Sequence, residues 1–184
     1  MIFGKKDEVS EKLLEELSGA LILKRLKLPE LRDFAAICEE RSYEDGQLFV
    51  EQGALGSELH ILLEGRARIV IRSPEGNEVQ VSVVEQGDVF GEASIFMDLP
   101  RTASAVAKGP CRVAAVDRDK LFKYCEGNPK AGLRIFTFVI YSLLRRLGST
   151  SHELAHERET SVTSADLERL MKSFPKSLEG ILGD

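Results

Sequence analysis

The apolar positions change period twice along the chain, dividing it into helices, a β region and helices again. From residue 7 to about 41, Leu13, Leu14, Leu17, Leu21, Leu23 and Leu26 recur near three- and four-residue spacing, which predicts helix. Pro29, tolerated in a first helical turn, opens a shorter helix on which Leu31, Phe34, Ala35 and Cys38 share a face. Between Tyr43 and Val116 the period becomes two, clearest in Glu58-Leu-His-Ile-Leu-Leu, in Ala67/Ile69/Ile71 and in Val79/Val81/Val83. Glycines at 46, 53, 56, 65, 76 and 87 punctuate this stretch, and Pro74-Glu75-Gly76-Asn77 has the composition of a hairpin turn. Short strands separated by glycine turns imply a sandwich or barrel.

After Asp117 the helical period returns, first around Leu121 to Cys125 and then from Pro129 onward. Leu133, Phe136, Ile140, Leu144, Leu147 and Leu154 line one broad face, and positions 140, 144, 147, 151 and 154 step by four and three as a coiled seam does. The stripe reads either as cover for the sheet or as a homodimer contact through residues 140–158. Gly148 is expected to interrupt this helix. A last short helix is expected within 161–184, with Ser164 as N-cap and Leu167, Leu170 and Met171 as its apolar side. The expected organisation is N-terminal helices over 1–41, a β-roll with its long helix over 42–157, and a helical tail over 158–184.

A length of 184 residues is enough to bury a core without disulfides or metals. Lys plus Arg total 25 and Asp plus Glu 30, a net charge of −5, and no concentrated basic run is visible. That balance argues against a dedicated nucleic-acid binder, which needs a basic face to neutralise phosphates. The most apolar stretch, 133–144, contains Arg134 and falls short of the roughly twenty apolar residues of a spanning helix, so no membrane span is expected. The opening MIFGKKDEVSEK turns charged at once and lacks a signal peptide's apolar core, which reads as cytoplasmic. Cys38, Cys111 and Cys125 form no CxxC pair, so neither a disulfide framework nor a cysteine-based metal site is expected.

One segment, GDVFGEASIFMDLPRTA over 87–103 with Ser104 and Ala105 behind it, fits a strand poorly. It has the makings of a compact anion site: Gly91 permits close backbone approach, and a turn beginning at Glu92 presents free N–H groups. Arg101 can fork onto phosphate oxygens, while Glu92 can accept from a hydroxyl and balance the arginine. A phosphate beside a hydroxylated sugar meets those demands. The plainer alternative is a Glu92–Arg101 salt bridge closing a surface loop.

The same segment resembles the phosphate-binding cassette of the cyclic nucleotide-binding domain family, shared by the catabolite gene activator and by protein kinase regulatory subunits. Upstream, Gly46-Gln-Leu-Phe-Val-Glu-Gln-Gly53 and Gly56-Ser-Glu-Leu-His-Ile-Leu-Leu-Glu-Gly65 are similar to that family's glycine framework, and the resemblance runs over about residues 20 to 155. It implies a mainly β fold with flanking helices, a double-stranded β-helix or jelly roll, and cAMP or cGMP as ligand, with no cofactor or metal. Glu92 then matches the glutamate on the ribose 2′-hydroxyl and Arg101 the arginine on the cyclic phosphate. Gly91, Ala93 and Ser94 match positions whose backbone surrounds sugar and phosphate, and Thr102 a position facing the phosphate and, in some relatives, a guanine. Arg145-Arg146-Leu147-Gly-Ser-Thr150-Ser151 resembles the activator's long helix, which makes Arg146, Thr150 and Ser151 candidate base contacts. The run lies about one helical turn farther from Asn128-Pro129 than in the activator, and Thr150 and Ser151 read equally as solvent-facing residues.

The family's transcription factors append a winged helix-turn-helix. Residues 158–184, with Phe174-Pro175, Gly180 and Gly183, offer no recognition face, so no direct DNA binding is expected. A rival motif is His152-Glu153-Leu154-Ala155-His156, an HExxH that could hold zinc with the glutamate as general base. Against a metalloprotease, His60 is the remaining histidine, Glu159 and Val162 replace the glycine and histidine of the longer motif, and Glu157 places a charge after the second histidine. The leading expectation is a non-catalytic cyclic nucleotide sensor that signals through a dimer or an effector protein, the identity of the effector being open. The alternative is a nucleotide-free interaction scaffold of the same fold.

Overall fold

The computed structural model describes residues 9–73, 76–96 and 100–155, with side chains as far as Leu144. Its elements are α1 (Glu11–Gly19), α2 (Leu28–Ala35), β1 (Glu39–Tyr43), β2 (Leu48–Val50), β3 (Glu58–Arg72), β4 (Glu78–Val84), β5 (Val89–Phe90), α3 (Ala93–Phe96), β6 (Ser104–Asp117), α4 (Arg118–Gly127) and α5 (Pro129–Ala155). The helix expected within 161–184 and its Ser164 cap lie outside the described residues.

Ser10 caps α1, its hydroxyl accepting from the Leu13 N–H at 3.1 Å, and α2 opens on Pro29 with the Glu30 carboxylate accepting from the Lys27 N–H at 2.8 Å. The helical expectation for 7–41 needs correcting in two places. Residues 20–26 form successive turns, in which the Leu23 N–H donates to Ala20 and the Leu26 N–H to Leu23, both at 2.9 Å. This lets Ala20, Ile22 and Leu23 all reach the core. At the other end β1 already begins at Glu39, because Glu39, Glu40 and Arg41 pair with Ala115, Ala114 and Val113 of β6.

The sheet is antiparallel in the order β1-β6-β3-β4, with β2 pairing β6 and β5 pairing β3. The long β3–β6 pair slips register on both sides of Glu64. There Gly65 has φ +88°, and a Cβ would lie 2.5 Å from the Pro110 carbonyl oxygen. Bulges of this kind bend a strand pair, and before them β3 serves two cores, one from each face. Leu59, Ile61 and Leu63 join α1, α2, α4 and α5 in one cluster, while Leu62 and Ala67 join Val84, Phe90, Ala105, Ala107 and Val113 inside the roll. Residues 59–63 are therefore all buried and do not alternate as expected, since both faces of this half-strand are covered.

The hairpin between β3 and β4 forms where expected, with the Ser73 N–H donating to Asn77 at 2.9 Å and Gly76 at φ +89°. The alternating Val79/Val81/Val83 do not share one buried face: Val79 and Val83 are exposed and Val84 is the buried residue. The cause is a register slip, in which Ile69 pairs Ser82 while Val70 pairs Gln80, leaving Val81 as the extra residue.

Helix α5 runs unbroken through Gly148, against expectation. A mid-helix glycine costs about 1 kcal/mol relative to alanine but keeps its N–H and C=O, so the ladder survives. The helix covers the core with Ala131, Ile135 and Val139, whereas Leu133 and Ile140 of the expected stripe are 38% and 49% exposed. Its root is pinned by Arg134, which donates to the Arg25 carbonyl at 3.0 Å and lies 3.6 Å from the Glu30 carboxylate. Tyr124 of α4 donates to the Glu30 carbonyl at 3.0 Å, tying both C-terminal helices to α2. Among the described residues no helix is long and apolar enough to cross a membrane.

Candidate functional site

The site begins where β5 ends. Gly91 sits at φ +80°, and a Cβ there would meet Arg101 Nη1 at 2.7 Å and the Glu58 carbonyl oxygen at 2.8 Å, so glycine is required on both conformational and steric grounds. The one-turn helix α3 follows, with the Ser94 N–H donating to Gly91 at 3.2 Å and the Ile95 N–H to Glu92 at 3.1 Å. Of the N–H groups that this turn was expected to leave free, those of Ser94 and Ile95 are thus engaged inside it.

Arg101 approaches from the opposite side, and its main chain is strapped to the turn after β2. Its N–H donates to Ala54 and its carbonyl accepts from Gly53, each at 2.8 Å. The guanidinium donates through Nη1 to the Gly91 carbonyl and through Nη2 to the Glu58 carbonyl, both at 3.2 Å. Arg101 and Glu92 are buried, 8% and 4% exposed, which overturns the picture of a surface loop closed by an exposed ion pair. Burial is the main influence on Arg101 and holds its pKa below the usual arginine range, with the Glu58 and Glu92 carboxylates opposing. An anion against this guanidinium would offset that desolvation.

The Glu58 carboxylate is committed elsewhere. Arg41 forks onto it at 2.9 and 2.7 Å, and that hydrogen bonding keeps Glu58 below the ordinary carboxylate range. Behind Gly91 lies His60, 1% exposed and stacked on Phe90 with centroids 4.9 Å apart. Neither ring nitrogen has a hydrogen-bond partner among the described residues, and the nearest carboxylate oxygen, on Glu58, is 3.7 Å away. Burial pushes the His60 pKa down to about 4; Glu58 pulls it up, while the Arg101 and Arg41 charges add to the depression.

Gly91, Glu92, Ala93, Ser94, Arg101 and Thr102 all line one cavity of about 270 Å³. The sheet contributes an apolar wall of Val50, Ile69, Ile71 and Val81 to the same cavity, and α5 contributes Leu143. Ile69, Ile71 and Val81 were expected only as members of alternating strands, and Leu143 was not among the expected site residues. The alternation was the available signal, but period alone does not tell a core from a cavity wall. Arg146, Thr150 and Ser151 lie on α5 beyond the described side chains, as does the His152–His156 motif, whose last residue is outside the described residues altogether. Among the described residues no group of three His, Cys, Asp or Glu side chains could hold a metal.

The chain is thus an antiparallel roll closed by helices, with a recessed guanidinium, a buried carboxylate and an apolar wall around one cavity. Residues 40–128 match the family model of the cyclic nucleotide-binding domain. A cAMP-dependent protein kinase regulatory subunit of Mucor circinelloides f. lusitanicus is 36% identical over 102 residues, 55% of this chain and 24% of that subunit. The aligned part thus spans about a quarter of that relative's length. A cyclic nucleotide-binding domain from Methylobacillus flagellatus KT shares the fold, with a TM-score of 0.63 at 23% identity over 84% of this chain and 85% of the other. The Thermus thermophilus catabolite activator protein gives a TM-score of 0.63 at 26% identity, covering 72% of this chain and 61% of the activator. The mainly β architecture with flanking helices is that of these neighbours.

Proposed function

We propose that the chain is a sensor that binds a cyclic mononucleotide, cAMP or cGMP, and passes occupancy to α5. The observation that carries this reading is Arg101: a buried guanidinium beside a cavity, bonded to neutral carbonyls and destabilised by desolvation, is organised to receive an anion. Arg101 neutralises the cyclic phosphate and Glu92 accepts from the ribose hydroxyl. Gly91, Ala93 and Ser94 enclose the sugar and phosphate, with Thr102 beside them. The apolar wall, with Leu143 from α5, takes the base.

Leu143 gives the occupied cavity a contact with α5, whose root is held by Arg134, and occupancy is passed along the helix from there. Arg146, Thr150 and Ser151 follow Leu143 by three, seven and eight residues, the spacing of one helical face. The output is a homodimer through 140–158 or an effector protein, and the exposed Leu133 and Ile140 support such a contact. No step in this scheme requires catalysis, direct DNA binding or a membrane span, and the chain acts in it as a cytoplasmic regulator.

Isothermal titration with cAMP and cGMP tests the reading, with Arg101→Ala as control. Loss of a buried, charged hydrogen-bonding partner lowers affinity by roughly two to three decades. Absence of heat with either nucleotide, or equal binding by the variant, refutes it. In that event the nucleotide-free scaffold is the reading that remains.

A further inference from the structure

The slip between β3 and β4 has a chemical consequence at the cavity. In a regular strand Val81 and Ser82 would face opposite sides, yet both line the cavity here. Val81 is the residue left over where Ile69 pairs Ser82 and Val70 pairs Gln80, and an extra residue of this kind re-aims the side chains next to it. Ser82 is consequently the polar side chain that the β3–β4 wall contributes, set cross-strand from Ile69 and beside Val81. The other hydroxyls at the cavity have different attachments. Ser104 accepts from the Gln52 N–H at 2.9 Å, Thr102 belongs to the Arg101 loop, and Ser94 sits buried in α3 beside Glu92.

We infer that Ser82 reads the polar edge of the base, an assignment that rests on the nucleotide reading above. A base laid on Ile69, Ile71 and Val81 brings its exocyclic group to the one wall position able to hydrogen-bond. A hydroxyl both donates and accepts, and rotates to suit. Ser82 therefore serves a 6-amino purine as acceptor and a 6-oxo purine as donor, holding the base in place without choosing strongly between the two. A fixed donor or acceptor at this position would choose, because the wrong purine would leave it unpaired.

The test is titration of the full chain and its Ser82→Ala variant with cAMP, cGMP and the 3′,5′-cyclic phosphate of purine riboside, which lacks the exocyclic group. Ser82→Ala is expected to weaken cAMP and cGMP each by roughly three- to tenfold, the worth of one neutral hydrogen bond, and to leave the purine riboside ligand unchanged. The wild-type chain is expected to hold cAMP and cGMP within about tenfold of each other. An equal loss for all three ligands, which marks a purely structural effect, overturns the assignment. So does an unchanged affinity for cAMP and cGMP. If the wild-type chain binds none of the three, the nucleotide reading itself fails and Ser82 loses its role with it.

Discussion

Acid should weaken this fold through His60 before it reaches the carboxylates. The ring is 1% exposed with a pKa near 4, against 6.5 for a free histidine, so the unfolded chain takes up the proton first. Stability is then fully present above pH 6.5 and falls as the pH drops toward 4, below which both states are protonated at this site. A gap of about two and a half pH units at 1.36 kcal/mol per unit amounts to about 3 kcal/mol. Glu58 titrates on the other side of this window: Arg41 holds its folded pKa below 4.5, so its contribution is present above 4.5 and is lost as the pH falls further. Urea unfolding at pH 7, 6, 5 and 4.5, followed by circular dichroism, separates the two. His60→Phe keeps a ring to stack on Phe90 and removes the titrating group; His60→Leu serves if the larger ring is not accommodated. The difference in unfolding free energy between variant and wild type should grow by about 2 to 3 kcal/mol from pH 7 to 4.5, in favour of the variant. Parallel profiles for wild type and variant would show that His60 is not a buried neutral histidine.

Three further outcomes are expected. Gly91→Ala should abolish nucleotide binding and lower the thermal midpoint, because its Cβ meets both Arg101 and the Glu58 carbonyl, whereas Gly53→Ala, at φ +84° with nothing within 4 Å, carries only the left-handed strain of about 1 to 2 kcal/mol and should retain binding. Leu143→Ala should weaken nucleotide binding by roughly tenfold and lower the urea midpoint modestly, since Leu143 lines the cavity and, partly buried, also packs against the helical core; unaltered titration would remove α5 from the site. Ile140→Glu, at a half-exposed position of α5, should leave the fold intact by circular dichroism and shift sedimentation from dimer to monomer, and a wild-type chain that sediments as a monomer with and without nucleotide would end the homodimer reading.

Much of this architecture is local in origin, and that part was legible in the amino-acid sequence. Pro29 and Ser10 mark helix starts through their own backbone and side-chain chemistry, and Gly76 marks a hairpin through its positive φ. The spacing of Gly91, Glu92 and Arg101 pointed to a compact anion site because close approach, carboxylate and guanidinium are properties of those residue types. What escaped was whatever depends on the partner across a gap. Leu59 to Leu63 read as an alternating strand, since the helices that cover its second face lie far away in the chain. His60 looked like one more strand residue until Phe90 and Gly91 closed over it.

The sequence by itself determined the order of elements and the chemistry available to the cassette, because helix caps, turn glycines and side-chain charge act over a few residues. Only the tertiary structure decided where those groups meet. The register slip at Val81 placed Val81 and Ser82 together in the cavity wall. Packing along α5 selected Ala131, Ile135 and Val139 for the core, put Leu143 at the cavity and left Leu133 and Ile140 outside. The physical reason is the same in both cases: a period in the sequence defines which residues share a face, and what that face meets is set by segments distant in the chain.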